Sequence, residues 1–427
     1  MSRKKLFGNM ASLGMLQLAN YVFPFLTVPY LSRVLSTSHY GLILFSLSFT
    51  TYFAIICDYG FGLTGTKAVA INSHKPEELN RLVSNITAIK VVLFAFSLVI
   101  NLVLVFCFDQ FREYWFIYVI NIFTLINSVL FPTWFFQGME RMKYITFVQV
   151  SVRLIAVLLI LVLVKHDADY YLWPVINLIT TIVGVVFVQY ILLAKFHIRY
   201  IKPDFISIKK ELSEGWHVFI STIAISLYTV SNSFFLGVMT SATMVAYYAS
   251  GEKIMNAVQG LLGPVSQALY PHLAKIVHDD KNAGIKALQK ALFRVAGVGL
   301  VISISLFIFA PIIVKLLFGI KYQVATTEVV RILSILPFVI CLSNMFGIQT
   351  MLPFGLTKPF SRILIVSSIM NVCLLLILIP RFSYIGTAIS VVITEVCVSC
   401  MMVWHLGLNG IYVWAGKFES IKDVEVR

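Results

Sequence analysis

Long apolar runs broken at intervals by charge organise this chain from end to end. They predict helices at 11–34, 40–62, 83–107, 114–137, 144–164, 170–194, 215–238, 243–270, 290–318, 326–351, 359–380 and 383–406. Each run exceeds the roughly 20 residues that carry a helix across hydrocarbon. Lipid offers the backbone no hydrogen-bond partner, so such runs have to be helical. Composition agrees: of 427 residues 59% are hydrophobic and 12% charged, half the roughly 25% of soluble domains. That excludes a soluble multidomain enzyme, a disordered chain, a collagen-like repeat and a disulfide scaffold. The fold class is all-α integral membrane, with about twelve transmembrane helices. Met1 to Lys5 followed by an apolar run looks like a signal peptide, but the run is too long and carries Pro24 and Pro29; it is read as a retained first helix.

The net charge of +14 changes the picture through its location. Assigned to alternate loops, 22 of the 33 Lys and Arg fall on the side of the N-terminus, six on the other, and five inside helices. The positive side faces the cytoplasm, so both termini are cytoplasmic and the basic residues mark topology, with no nucleic acid as partner. The longest charged stretch between helices, Lys195 to Glu214, follows the sixth run and divides the chain into an N-terminal six-helix lobe, 1–200, and a C-terminal one, 201–427. Leu35-Ser36-Thr37-Ser38 entering the second helix is echoed by Met239-Thr240-Ser241-Ala242 entering the eighth. An even helix number per half makes the repeats parallel, related by a pseudo-two-fold axis along the membrane normal, as in one class of transporters. A pathway between two lobes follows.

Other chemistry is scarce. Cys397-Val-Ser-Cys400 has metal or redox spacing, but it lies mid-helix with no second pair or His cluster and is read as packing; no metal and no cofactor are expected. Gly410 to Lys417 misses the phosphate-loop pattern by one residue and by its Phe418. The outer loops, of about twelve residues or fewer, leave no room for a polymerase or transferase site, so the chain is not read as an enzyme.

Ionisable side chains within helices cost roughly 2.5–3.5 kcal/mol each on insertion scales and are functional candidates by default. In the eighth helix Tyr248, Glu252, Asn256, Gln259 and Gly263 recur at helical spacing, one wet stripe facing away from lipid. Lys253 is next to Glu252 but points about 100° away, and both are candidates for a cavity. Gln17, Asn20, Pro24 and Thr27 stripe the first helix, with Arg33 at its outer end; Thr222, Ser226, Thr229 and Ser233 stripe the seventh. Such stripes serve equally as helix–helix glue. Arg153 has no carboxylate near it in sequence; meeting Glu252, meeting Asp58 and binding an anionic substrate all stay open. Asp58 is either the structural partner of Lys90 or a cation- or proton-coupling residue. Glu395 is either the partner of Arg331 or a proton carrier.

Several segments resemble a known family. Gly8-Asn9, Leu31-Ser32-Arg33-Val34-Leu35, Tyr40-Gly41, Asp58-Tyr59-Gly60-Phe61-Gly62, Ala68, Trp134-Phe135-Phe136-Gln137-Gly138-Met139-Glu140 and Tyr247 to Lys253 are similar to bacterial O-antigen and polysaccharide repeat-unit flippases. These form the polysaccharide branch of the multidrug/oligosaccharidyl-lipid/polysaccharide exporter superfamily. The resemblance spans the chain and its six-plus-six plan. It implies a multi-pass protein of the bacterial inner membrane, serving lipopolysaccharide biosynthesis. It implies alternating-access translocation of an undecaprenyl-diphosphate-linked oligosaccharide from the cytoplasmic to the periplasmic leaflet, driven by a proton or sodium gradient. Polysaccharide polymerase and chain-length proteins are the partners it suggests, besides membrane lipids. Lys253 and Arg153 suit a diphosphate, and Glu252, Asn256, Gln259, Tyr248, Gln17, Asn20 and Arg33 complete the substrate candidates; Asp58 and Glu395 are the ion-coupling candidates. Related lipid II flippases carry arginines inside the first helix and two further helices. Here only Arg33 stands, at the outer end, which argues against a peptidoglycan precursor as substrate. The alternative is a cation-coupled multidrug or small-molecule exporter.

Overall fold

The computed structural model describes residues 3–418; Lys422 and Arg427, counted above on the cytoplasmic side, lie outside the described residues. The described helices cover all twelve predicted runs. Among the described residues eight helical stretches are long and apolar enough to cross a membrane. One of them, Thr357–Leu408, has 52 residues, about 78 Å at 1.5 Å per residue, enough for two crossings. It breaks at Ser383 (φ 51, ψ −128), between the two predicted runs. Ser36 stands at the N-cap of Thr37–Asp58, its side chain accepting from the His39 amide, and Ser241 at the N-cap position of Ala242–Asp279, so the echoed segments are both helix starts.

The helices are turned polar face inward. In Pro76–Cys107, Lys90, Ser97 and Asn101 are buried, whereas Val92 and Phe96 are 67% and 57% exposed. With lipid as solvent, apolar side chains gain nothing from leaving the surface, and polar ones seek protein partners.

The contacts form two compact units, Met1–Ser226 and Leu227–Arg427, so 201–226 packs with the first. In that unit Arg3–Val34 lies along Met142–Leu163. The pair is fastened by Asn9 Nδ2 donating to the Glu140 carbonyl (3.1 Å), Thr146 Oγ1 to that of Ser12 (2.8 Å) and Tyr30 Oη to that of Val164 (2.6 Å). The second predicted run is broken: Thr37–Asp58 ends, Tyr59 and Gly60 turn left-handed (φ 49 and 83), and Phe61–Ile71 resumes. The break docks on Phe205–Thr229, where Tyr59 stacks on Phe219 at 4.7 Å. A Cβ on Gly60 would lie 2.7 Å from Val218 Cγ1, so position 60 needs glycine for both its φ and its clearance.

Two of the segments quoted above, Asp58–Gly62 and Trp134–Glu140, meet in one core. Phe61 and Val69 pack with Trp134, Phe135 and Phe136 in one buried cluster, and Thr66 Oγ1 donates to Gln137 Oε1 at 3.3 Å. In the second unit Leu273, Leu288, Met345, Val398 and Met402 share a core. A two-stranded antiparallel hairpin follows the last helix, pairing Ile411 with Phe418 and Tyr412 with Lys417.

Candidate functional site

The second unit holds a small polar cavity of about 120 Å³. The stripe on Ala242–Asp279 makes one wall, with Tyr248, Glu252, Asn256 and Gln259 all lining it. Opposite stand Asn232 from Ser231–Met239, and Asn371 and Glu395 from the two arms of Thr357–Leu408. Glu252 accepts from Tyr248 Oη at 3.1 Å and from Ser233 Oγ at 3.4 Å. Asn371 Nδ2 donates to Thr394 Oγ1 at 3.3 Å, leaving its Oδ1 buried without a donor, as is Asn232 Oδ1. Two carboxyl residues and two asparagines, each with an amide oxygen lacking a donor, thus line one space. A lining so rich in acceptors calls for a donor or a cation.

Lys253 is half-buried and is not part of this lining, as the 100° step between neighbours requires. Arg331 sits over the Phe307 ring at 5.5 Å, a cation–π contact; among the described residues no ion pair joins it to Glu395.

In the first unit Lys90 Nζ, 2% exposed, bonds Asp58 Oδ1 at 3.0 Å and the Ser128 carbonyl at 3.2 Å. Asp58 is 44% exposed. Arg153 stands midway along Met142–Leu163, about 16 Å from its start, with an exposed side chain. Among the described residues it makes no ion pair or hydrogen bond, with Asp58 or any other group. The Ser12–Thr146 fastening sets the register of the first and fifth helices. Asn20 therefore lies eight residues beyond Ser12 and Arg153 seven beyond Thr146, at one level. Asn20 Oδ1 is buried without a donor; Gln17 is exposed one turn earlier and Arg33 is exposed at the outer end. Sequence spacing marked the 248–259 stripe. Asn232 and Asn371, which complete the cavity, were not marked by spacing: Asn371 is a single amide in an apolar run, and Asn232 lies beside the Thr229–Ser233 stripe rather than on it.

The sequence profile of the family described as polysaccharide biosynthesis protein matches residues 6–277. A candidate O-antigen transporter of Escherichia coli (strain K12) is 30% identical over 405 residues, covering 95% of this chain and 97% of the relative. Among solved structures, an inward-facing multidrug resistance MATE family transporter of the MOP superfamily superposes with TM-score 0.72 at 14% identity, over 92% of this chain and 95% of the other. The lipid II flippase MurJ, in an inward closed conformation, follows at TM-score 0.66 and 12% identity, over 94% and 87%. These two likenesses establish the fold, a polytopic helical transporter fold. With the profile match and the full-length relative beside them, the chain belongs to the polysaccharide biosynthesis protein family.

Proposed function

We propose that this chain is a flippase of the bacterial inner membrane that moves an undecaprenyl-diphosphate-linked oligosaccharide, of O-antigen or a similar surface polysaccharide, from the cytoplasmic to the periplasmic leaflet by alternating access. It is a transporter in this reading, with no bond made or broken. The observation that carries it is Arg153, a guanidinium in the middle of a membrane helix with no protein partner among the described residues. A cation left unpaired at that depth is costly, and a diphosphate is the ligand whose paired oxygens match a guanidinium fork. Asn20 stands at the same level for hydroxyl groups, with Gln17 one turn earlier on the first helix, while the polyprenyl tail stays in the bilayer. Arg33, at the outer end of the first helix, and Lys253, in the second unit, are kept as further candidate cations for the diphosphate.

Ion coupling belongs, in this reading, to the second unit. Glu252 and Glu395, with the amide oxygens of Asn232 and Asn371, offer a proton or sodium ion the oxygen ligands it needs. Asp58, held to Lys90, fastens the second helix to the third instead. A cation-coupled exporter of small molecules uses the same fold; drug susceptibility of a deletion strain separates the two readings.

The test is Arg153→Gln expressed in a deletion strain. Losing a charge-assisted contact worth about 1.5–3 kcal/mol is expected to cut surface polysaccharide at least about tenfold, with the protein still at its normal level in the membrane. Unchanged polysaccharide at that level would remove Arg153 from the substrate path.

A further inference from the structure

The first unit has a second, larger cavity, of about 530 Å³, at the end that the charge distribution places in the cytoplasm. Its walls are Phe61–Ile71, the start of Pro76–Cys107 and the start of Phe205–Thr229. An extended strap builds it. The Arg199, Ile201 and Asp204 amides donate to Asn80 Oδ1 (2.9 Å), Ser84 Oγ (2.9 Å) and Asn85 Oδ1 (3.1 Å) on the third helix. Asp204 then caps the seventh helix, accepting from the Ser207 amide at 3.0 Å, and Glu211 follows one turn further on.

Within the cup the charges balance. Arg81 lies 3.6 Å from Glu78, and Lys210 lies 4.0 Å from Glu214. Three groups are left over among the described residues. Glu211, only 7% exposed, has a buried Oε2 with no donor. Asn85, 1% exposed and already using its Oδ1, has a buried Nδ2 with no acceptor. Lys67 makes no ion pair. A buried polar group without a partner costs about 1–3 kcal/mol, so groups of this kind that line one cavity favour an occupant, water, ion or ligand, that satisfies them.

An occupant that satisfies all three donates to Glu211 and accepts from Asn85 and Lys67. A phosphate would face three carboxylates and a simple cation three basic groups, so neither suits the cup. Adjacent hydroxyls do both jobs at once, because each is donor and acceptor together. The volume lies in the range of small-ligand sites. We propose that this cup binds the saccharide portion of the lipid-linked substrate on the cytoplasmic side, with Glu211 and Asn85 reading sugar hydroxyls, and so contributes to which repeat unit is accepted. The proposal rests on the flippase reading for the identity of its sugar and on the cup alone for its chemistry.

The experiment uses the full-length protein in micelles. The probe is the repeat-unit oligosaccharide released from the host's lipid-linked pool, free of lipid and diphosphate, with binding read by calorimetry and ligand-observed NMR. The wild type is expected to bind; Glu211→Gln and Asn85→Ala are each expected to weaken binding at least about tenfold. Lys209→Ala, on the same helix and outside the cup lining, is expected to bind as the wild type does. Glu211→Asp, which keeps the charge and withdraws it by one methylene, serves should Glu211→Gln fail to fold. No binding by the wild type overturns the proposal, as do variants that bind equally well or pyrophosphate competing for the cup. Leaflet-sidedness measurements separate the two claims: a working flippase that binds no free oligosaccharide loses the cup and keeps its function. Binding that depends on Glu211, in a protein that moves no lipid-linked sugar, keeps the cup and loses the flippase.

Discussion

Removing either partner of the Asp58–Lys90 pair is expected to have unequal consequences, and the inequality can be worked from burial. Lys90 is 2% exposed and Asp58 44%. Asp58→Asn leaves an ammonium inside the helix packing with neutral acceptors only, the new amide oxygen and the Ser128 carbonyl 3.2 Å away. Stranding a buried charge costs about 3–5 kcal/mol. Lys90→Met leaves a carboxylate that is half in solvent, where an ion-pair partner is worth about 0–1 kcal/mol, plus a modest packing change. The double variant removes both charges and is expected to recover most of the loss, since the pair's net worth against apolar replacement is small. The assay is thermal melting of the four proteins in one detergent, read as a double-mutant cycle. The expected order of stability is wild type and double variant highest, then Lys90→Met, then Asp58→Asn. Asp58→Asn melting no lower than Lys90→Met, or a double variant as unstable as the sum of the singles, would refute the argument.

Further outcomes follow from other contacts. Gly60→Ala combines φ +83 with a Cβ 2.7 Å from Val218 and is expected to cost at least about 1–2 kcal/mol, measured by melting; a neutral result would mean that the helix break is not held against the seventh helix. Glu395→Gln and Glu252→Gln are each expected to leave translocation in vesicles insensitive to an imposed proton or sodium gradient, and retained gradient dependence in both would move coupling elsewhere. The Asp204 carboxyl is held below its ordinary value of 3.8 by bonds from the Ser207 hydroxyl and amide, against a smaller opposing effect of burial. A depressed carboxyl stabilises above its unfolded value, and the gain is lost as pH falls through its folded one. The protection of the amides following Asp204, taken as exchange relative to the intrinsic rate at each pH, is therefore expected to fall below about pH 4, and Asp204→Asn to abolish that dependence.

Much of the fold was legible because lipid makes the code simple: a long apolar run has to be a helix, and loop charge has to orient it. What hydropathy misses is where helices continue in polar sequence. The ninth run starts at residue 290 by hydropathy, but the helix begins at Lys281, since Lys, Gln and Ala propagate a helix in water without adding apolarity. The break at Tyr59–Gly60 was likewise invisible, because left-handed turns leave no mark on hydropathy. The 248–259 stripe was legible from its period. Its facing residues were not, because a cavity assembled from Asn232, Asn371 and Glu395 depends on which faces meet after folding. Arg153 stood out as an unmatched charge from the sequence alone. Glu211 did not, since Lys195 to Glu214 reads as a topological charge run until the strap and cap show where its side chains turn.

If this chain moves lipid-linked oligosaccharide across the inner membrane, its loss has to strand that lipid on one side. The most direct measurement is the leaflet that holds this lipid in a strain depleted of the protein, read by sugar-specific labelling of inside-out and right-side-out vesicles. Accumulation on the cytoplasmic leaflet is expected, relieved by the wild-type chain and not by Arg153→Gln. Lipid-linked oligosaccharide reaching the periplasmic leaflet normally, in a strain with no second flippase, would contradict it.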